Sequence, residues 1–237
     1  MRSATLLLVA LALAGCETTA EKSAKLERAA SRAAVVQNGL LITHPSAEVK
    51  VLETAALHSS EGAAAVVVLH NVSSRTLRDV PIAITVKNAS GQTLFQNNAP
   101  GLEAALVSVA SLPAHGELSW VDDQLPATGQ PAAVNALLGQ APTAAGAVPQ
   151  IEIHGVHMIE DPSRGIGTSA KVTNRSRVAQ QNLVVFAVAR RGGRIVAAGR
   201  ALLAELAAGG SAQFEVFFVG DPRGAQLQIS APPTTFR

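Results

Sequence analysis

The densest cluster of chemically capable groups is IEIHGVHMIED, Ile151 to Asp161, which holds Glu152, His154, His157, Met158, Glu160 and Asp161. Imidazole and carboxylate suit divalent metals, and histidine with methionine suits copper. If the stretch is a strand, successive side chains leave opposite faces, so His154 and His157 are expected to point apart. Glu152 and His154 would share a face, but two ligands do not make a site. A third would have to come from a distant residue such as His70. The stretch reads first as an edge strand with exposed polar groups, ended by a turn at Asp161-Pro162. His154 and His157 are the candidate metal ligands.

A second cluster is RRGGR, Arg190 to Arg194, with Arg200 beyond it. Arg190, Arg191 and Arg194 are candidate contacts for an anionic surface such as lipid head groups or an acidic envelope polymer. The plainer reading is a hairpin tip kept soluble by charge. No G-x-S-x-G nucleophile elbow occurs. GIGTSA at Gly165 lacks the phosphate-binding lysine and the third glycine of a dinucleotide fingerprint, and it precedes a strand pattern, not a helix. Asn71, Asn88 and Asn174 each head an N-x-S triplet and read as turn residues tolerant of left-handed backbone. No catalytic constellation and no cofactor site emerge, so the expectation is a protein that is not an enzyme.

The single cysteine, Cys16, closes LALAGC. Arg2 supplies a short positive region, and Thr5 to Ala14 form an apolar run too short to cross a membrane as a helix. The segment fits a secretory signal. Leu13-Ala14-Gly15-Cys16 also resembles the lipobox of bacterial lipoproteins. That resemblance implies cleavage between Gly15 and Cys16, a lipid on the Cys16 thiol, and often an acyl chain such as palmitate on the new amino terminus. Two or three chains hold a protein on a membrane, since each buried methylene contributes about 0.8 kcal/mol. Glu17 follows, where some lipoproteins kept at the inner membrane carry aspartate. The expected location is therefore extracytoplasmic, on the bacterial outer membrane or the outer face of the plasma membrane. An ordinary secretory signal cut nearby remains the alternative.

Removing that leader takes Arg2 and leaves 18 basic residues against 17 acidic ones, a balance that gives no reason to expect nucleic-acid binding. With its one cysteine acylated, the mature chain has no disulfide, no thiolate catalysis and no cysteine-ligated metal. Tyrosine is absent and there is one tryptophan, so stacking platforms for bases or sugars are not expected.

The elements that must position these groups are β. Residues 17–40 are polar and alanine-rich and read as a tether, with Glu21 and Lys25 at helical spacing. Val80, Ile82, Ile84 and Val86 alternate with Pro81, Ala83, Thr85 and Lys87, the mark of a strand with one buried face. The plan recurs. Asn71 matches Asn174; Ile82, Ile84 and Val86 match Val184, Phe186 and Val188; Gly91 matches Gly193; Trp120 matches Phe214. The offset shrinks by about eight residues before the last match, which implies a shorter connection in the second half. Between the repeats, Pro126 to Pro149 reads as a Pro/Ala/Gly-rich linker with room for a short helix at Ala132 to Leu138.

This order of asparagine, polar loop, alternating strand, glycine turn and aromatic strand resembles immunoglobulin-like envelope modules of the FxLYD type, known from bacterial lipoproteins. The resemblance covers roughly Ala63 to Val121 and Gly165 to Val219. The expected fold is all-β, with two small immunoglobulin-like β-sandwich domains in tandem. The expected division is 1–15 signal peptide, 16–40 lipidated cysteine and tether, 41–125 first sandwich, 126–149 linker, 150–237 second sandwich. The expected function is that of a membrane-anchored, non-catalytic adaptor or accessory binding protein of the cell envelope, with an envelope protein as partner. The alternative is a metal- or small-ligand-binding envelope protein that uses His154 to Asp161.

Overall fold

Val80, Ile82, Ile84 and Val86 are buried while the residues between them are half-exposed, so the alternation becomes a strand with one face in a core. This strand, β3 (Leu77–Lys87), is central to the first half of a computed structural model that describes residues 39–126 and 129–236. The leader, Gly15, Cys16 and the tether expected before residue 39 lie outside the described residues. On one edge β3 pairs with β4 (Thr93–Gln96) and β5 (Ser108–Leu112), joined by a turn of helix, α1 (Ala104–Val107). Facing them is a sheet of β1 (Val49–Ser59), β2 (Gly62–Asn71) and β6 (Glu117–Leu125), in that order. Together they bury Trp120, whose indole N–H donates to the Ala105 carbonyl at 2.9 Å.

The stretch expected as a linker is partly structure. Ala133–Leu138, anticipated as a short helix, is strand β7 and pairs residue for residue with the other edge of β3. Six residues are too few for a stable isolated helix, whereas β3 offers a row of unpaired backbone groups. Val134 and Leu138 turn inward, and Ala133, Asn135 and Leu137 turn outward. Bridges from Pro45 to Gly139 and from Leu77 to Thr143 extend the attachment beyond β7.

The second half repeats the plan. β8 (Ile151–Asp161), β9 (Gly165–Asn174) and β12 (Ser211–Phe217) form one sheet. β10 (Gln180–Arg191), β11 (Arg194–Leu206), β13 (Val219–Gly220) and β14 (Gln226–Ser230) form the other. The shorter connection is visible in the pairing. On β3, Leu77 and Thr85 are eight apart, yet their partners Leu112 and Gln96 are sixteen apart. β10 and β11 keep step, with Gln180 on Leu206 and Val188 on Ala198. The excess in the first half is α1 and its flanks.

The asparagines do a different job from the one expected. Among the described residues the non-glycine positions with left-handed φ are Asp79, His115 and Asn182, and none of the three expected asparagines is one of them. Asn71 and Asn174 are instead fully buried pins. Asn71 Nδ2 donates to the carbonyls of Arg75 (2.7 Å), Leu112 (3.2 Å) and Pro113 (2.9 Å). Asn174 Nδ2 donates to those of Val178 (2.8 Å), Leu206 (3.4 Å) and Ala207 (3.1 Å). Each carboxamide oxygen accepts from a serine two residues on, Ser73 or Ser176. Asn88 is a half-buried residue at the start of an exposed turn, and its side chain accepts from Ser90 and Gln92.

The repeat alignment needs a one-residue correction on the central strand. Asp79 and Asn182 carry the same positive φ, and the register shifts fall at Val86/Lys87 and Ala189/Arg190. Ile82, Ile84 and Val86 therefore correspond to Val185, Ala187 and Ala189. A slip of one residue exchanges faces, so Val184, Phe186 and Val188 point out of the second sandwich.

They point into the first. Leu183, Val185, Ala187 and Ala189 belong to the core of the second half. Val184, Phe186, Val188 and Ala198 belong to one continuous core with Val66, Val67, Val121 and Trp120 of the first half. β2 is buried from Ala63 to Leu69 for the same reason. The four sheets stack, with β1-β2-β6 and β13-β11-β10-β14 as the inner pair.

Candidate functional site

His154 and His157 sit on β8, whose only strand partner among the described residues is β9, so its other edge is open there. Contrary to expectation, the two imidazoles share a face. His154 pairs with Lys171 and His157 with Ser169, which lie on the same side of β9, because a bulge inserts a residue between them. Gly155, with φ of 67°, provides the left-handed backbone at that bulge. His154 Nε2 lies 3.1 Å from Glu152 Oε2, which also accepts from Arg175 Nε at 2.7 Å. The Arg175 hydrogen bond is the main force holding the Glu152 carboxyl below its usual range, with His154 adding to it. His157 Nδ1 lies 2.9 Å from the Gly155 carbonyl. His70 is on β2 of the first sandwich, beside Glu117. Among the described residues no three His, Cys, Asp or Glu side chains gather as a metal site. Asp161 closes the strand: the Ser163 hydroxyl and amide, then Arg164, hold its carboxyl far below the usual range.

Beside β8 runs an apolar groove of about 460 Å³. Met158 and Ile159 of β8, Ile166 of β9 and Leu227 of β14 line it, with residues 222–225 as its rim. Glu160 and Arg223 pair at that rim at 3.4 Å. Val156 and Met158 remain 44% and 43% exposed along this edge, as Leu52, Leu137 and Leu202 do on other strands. In the first sandwich the corresponding edges, β1 and β7, lie against one another; β8 and β14 hardly touch.

The candidate arginines are mostly engaged within the molecule. Arg190 pairs with Glu53 of β1 at 2.8 Å, across the two halves. Arg191 donates to the carbonyls of Asp221 and Arg223. Arg194 stays exposed at the hairpin tip. Arg200 is not on the surface: its side chain is 6% exposed and bonds to Asp123 and Glu103 of the first half. Sequence reasoning missed this joint, because its partners lie 77 and 97 positions from Arg200. It likewise missed Asp122 and Asp123, whose only signal was an acidic pair directly after the apolar Trp120-Val121, inside β6.

No protein-family model matches the chain, and no curated protein matches it. Solved structures that resemble it include the exo-chitosanase of Amycolatopsis orientalis, 14% identical with a TM-score of 0.28, covering 78% of this chain and 26% of that one. An exo-β-D-glucosaminidase structure, from work on its inhibition by a glucosamine-configured castanospermine, gives 14%, 0.28, 78% and 26%. The chain thus spans about a quarter of the length of these enzymes. A likeness of that degree bears on neither activity nor substrate.

Proposed function

We propose that the chain is a lipid-anchored, extracytoplasmic protein of a bacterial envelope, and that it works without catalysis as an adaptor or accessory binding protein. The lipobox resemblance at Leu13 to Cys16 supports the anchor, with Cys16 as the acylated residue and Gly15–Cys16 as the cleavage point. The binding role rests on the open edge of β8. Among the described residues no strand pairs with the far edge of its eleven residues, and Val156 and Met158 stand exposed along it. An extended segment of an envelope protein would add as a further strand, with backbone hydrogen bonds for affinity and alternate apolar side chains in the groove for specificity.

The test is crosslinking in intact cells with wild type, Cys16→Ala and Val156→Asp/Met158→Asp. A stoichiometric envelope protein captured by wild type and lost in both variants is the expected result. Capture that survives the β8 double variant sinks strand addition at this edge. No captured protein at all sinks the adaptor role. Intact mass of the membrane-extracted protein checks the anchor: acyl chains on wild type, none on Cys16→Ala, which has no thiol to acylate.

A further inference from the structure

The joint between the two sandwiches sets two carboxylates, Asp123 and Glu103, against the Arg200 guanidinium, with a third, Asp122, on the reverse face of the same strand. Asp123 Oδ2 accepts the backbone N–H of Arg200 at 2.9 Å, and Oδ1 accepts its Nε–H at 3.1 Å. Glu103 Oε2 accepts from Nη2 at 3.1 Å. Asp122 is the odd one out. It is 1% exposed and receives one hydrogen bond, from the Gln124 amide at 3.0 Å. Its other oxygen has no partner, and neither has Arg200 Nη1. Strand parity turns Asp122 to the Trp120 face of β6, inside the first sandwich, while Asp123 faces the second. An ion buried with one donor, beside a second carboxylate, is poorly compensated, and neutralising it relieves the cost.

We propose that this joint is proton-sensitive: it packs most tightly with the Asp122 carboxyl neutral and loosens when Asp122 ionises. The charged groups facing Asp122 are Asp123 beside it on β6 and Arg200 on β11, with Glu103, ahead of α1, holding the far side of Arg200. Burial is the main force and pushes the Asp122 carboxyl up to about 6; the Gln124 amide and the Arg200 charge pull it back only in part, and Asp123 adds to the rise. Burial raises Asp123 as well, against the pull of Arg200. The sign follows from linkage. A carboxyl raised in the folded state adds stability that is complete below its unfolded value near 3.8, and that is lost as pH climbs through about 6.

Trp120, the single tryptophan, lies on the Asp122 face of β6 and reports on the packing behind the joint. Acrylamide quenching of its fluorescence should increase in wild type between about pH 5 and about pH 7.5, and stay low and flat in Asp122→Asn. Over that window the folding equilibrium constant of wild type, relative to Asp122→Asn, should fall roughly tenfold in urea titrations. The same pH response in both proteins overturns the proposal. If Asp122→Asn does not fold, a carbon-13 carboxyl titration of wild type decides: an Asp122 midpoint near 6 supports it, and one in the ordinary carboxylate range overturns it.

Discussion

Asn71 and Asn174 show how much one polar side chain carries when it is buried. Each donates to three carbonyls at the end of a strand and in the loops beside it, and each does so in the same way in its own sandwich. Asn→Ala at either site removes those buried hydrogen bonds, and should cost about 1–3 kcal/mol in urea unfolding. Asn88→Ala, on an exposed turn, should cost less than about 0.5 kcal/mol. Arg200→Ala strips the half-buried Asp123 of its countercharge and should cost about 3 kcal/mol. The size of that loss should shrink in mild acid, because a protonated Asp123 no longer needs the guanidinium; thermal unfolding of the variant at several pH values checks both the cost and its direction.

At the scale of elements, legibility followed the number of buried faces. β3 buries one face, so its period-two pattern gave both the strand and the direction of each side chain. β10 buries both, and an unbroken run of apolar residues from Leu183 to Ala189 carries no parity. The repeat was therefore visible while its register on β10 slipped by one. β7 was hidden by composition: alanine and asparagine hold only a weak alternating pattern, and the ladder with β3 decides its state. Leu138→Ala should accordingly behave as a core truncation and cost about 2–5 kcal/mol, whereas a mutation in a free linker would be silent. On β8 the glycine within the strand was the available sign of a bulge, and the bulge is what puts His154 and His157 on one face. Val156→Asp there should change stability by less than about 0.5 kcal/mol, so any loss of partner capture reports the edge itself.

The whole molecule is less divisible than a tandem repeat suggests. Val184, Phe186, Val188 and Ala198 share a core with the first sandwich, and Arg190–Glu53 and Arg200–Asp123 fasten the same contact. Calorimetry of the full chain should show one transition, with calorimetric and van't Hoff enthalpies in agreement. Two resolved transitions would mean that the halves unfold independently. None of this coupling was visible in the sequence, since it depends on which faces two distant sheets present to each other.

The face of β10 that completes the first core has a consequence in time. Synthesis runs from the amino terminus, so β1, β2 and β6 exist before their covering sheet does. From the end of β6 at Leu125 to the end of β11 at Leu206, about 80 more residues must be added, which takes roughly 4–16 s at about 5–20 residues per second. Through that interval Val66, Val68 and Val121 form a bare apolar surface on an otherwise complete sandwich. The nascent first half is a natural client for a holding chaperone, and it is released from that need only when the second half arrives.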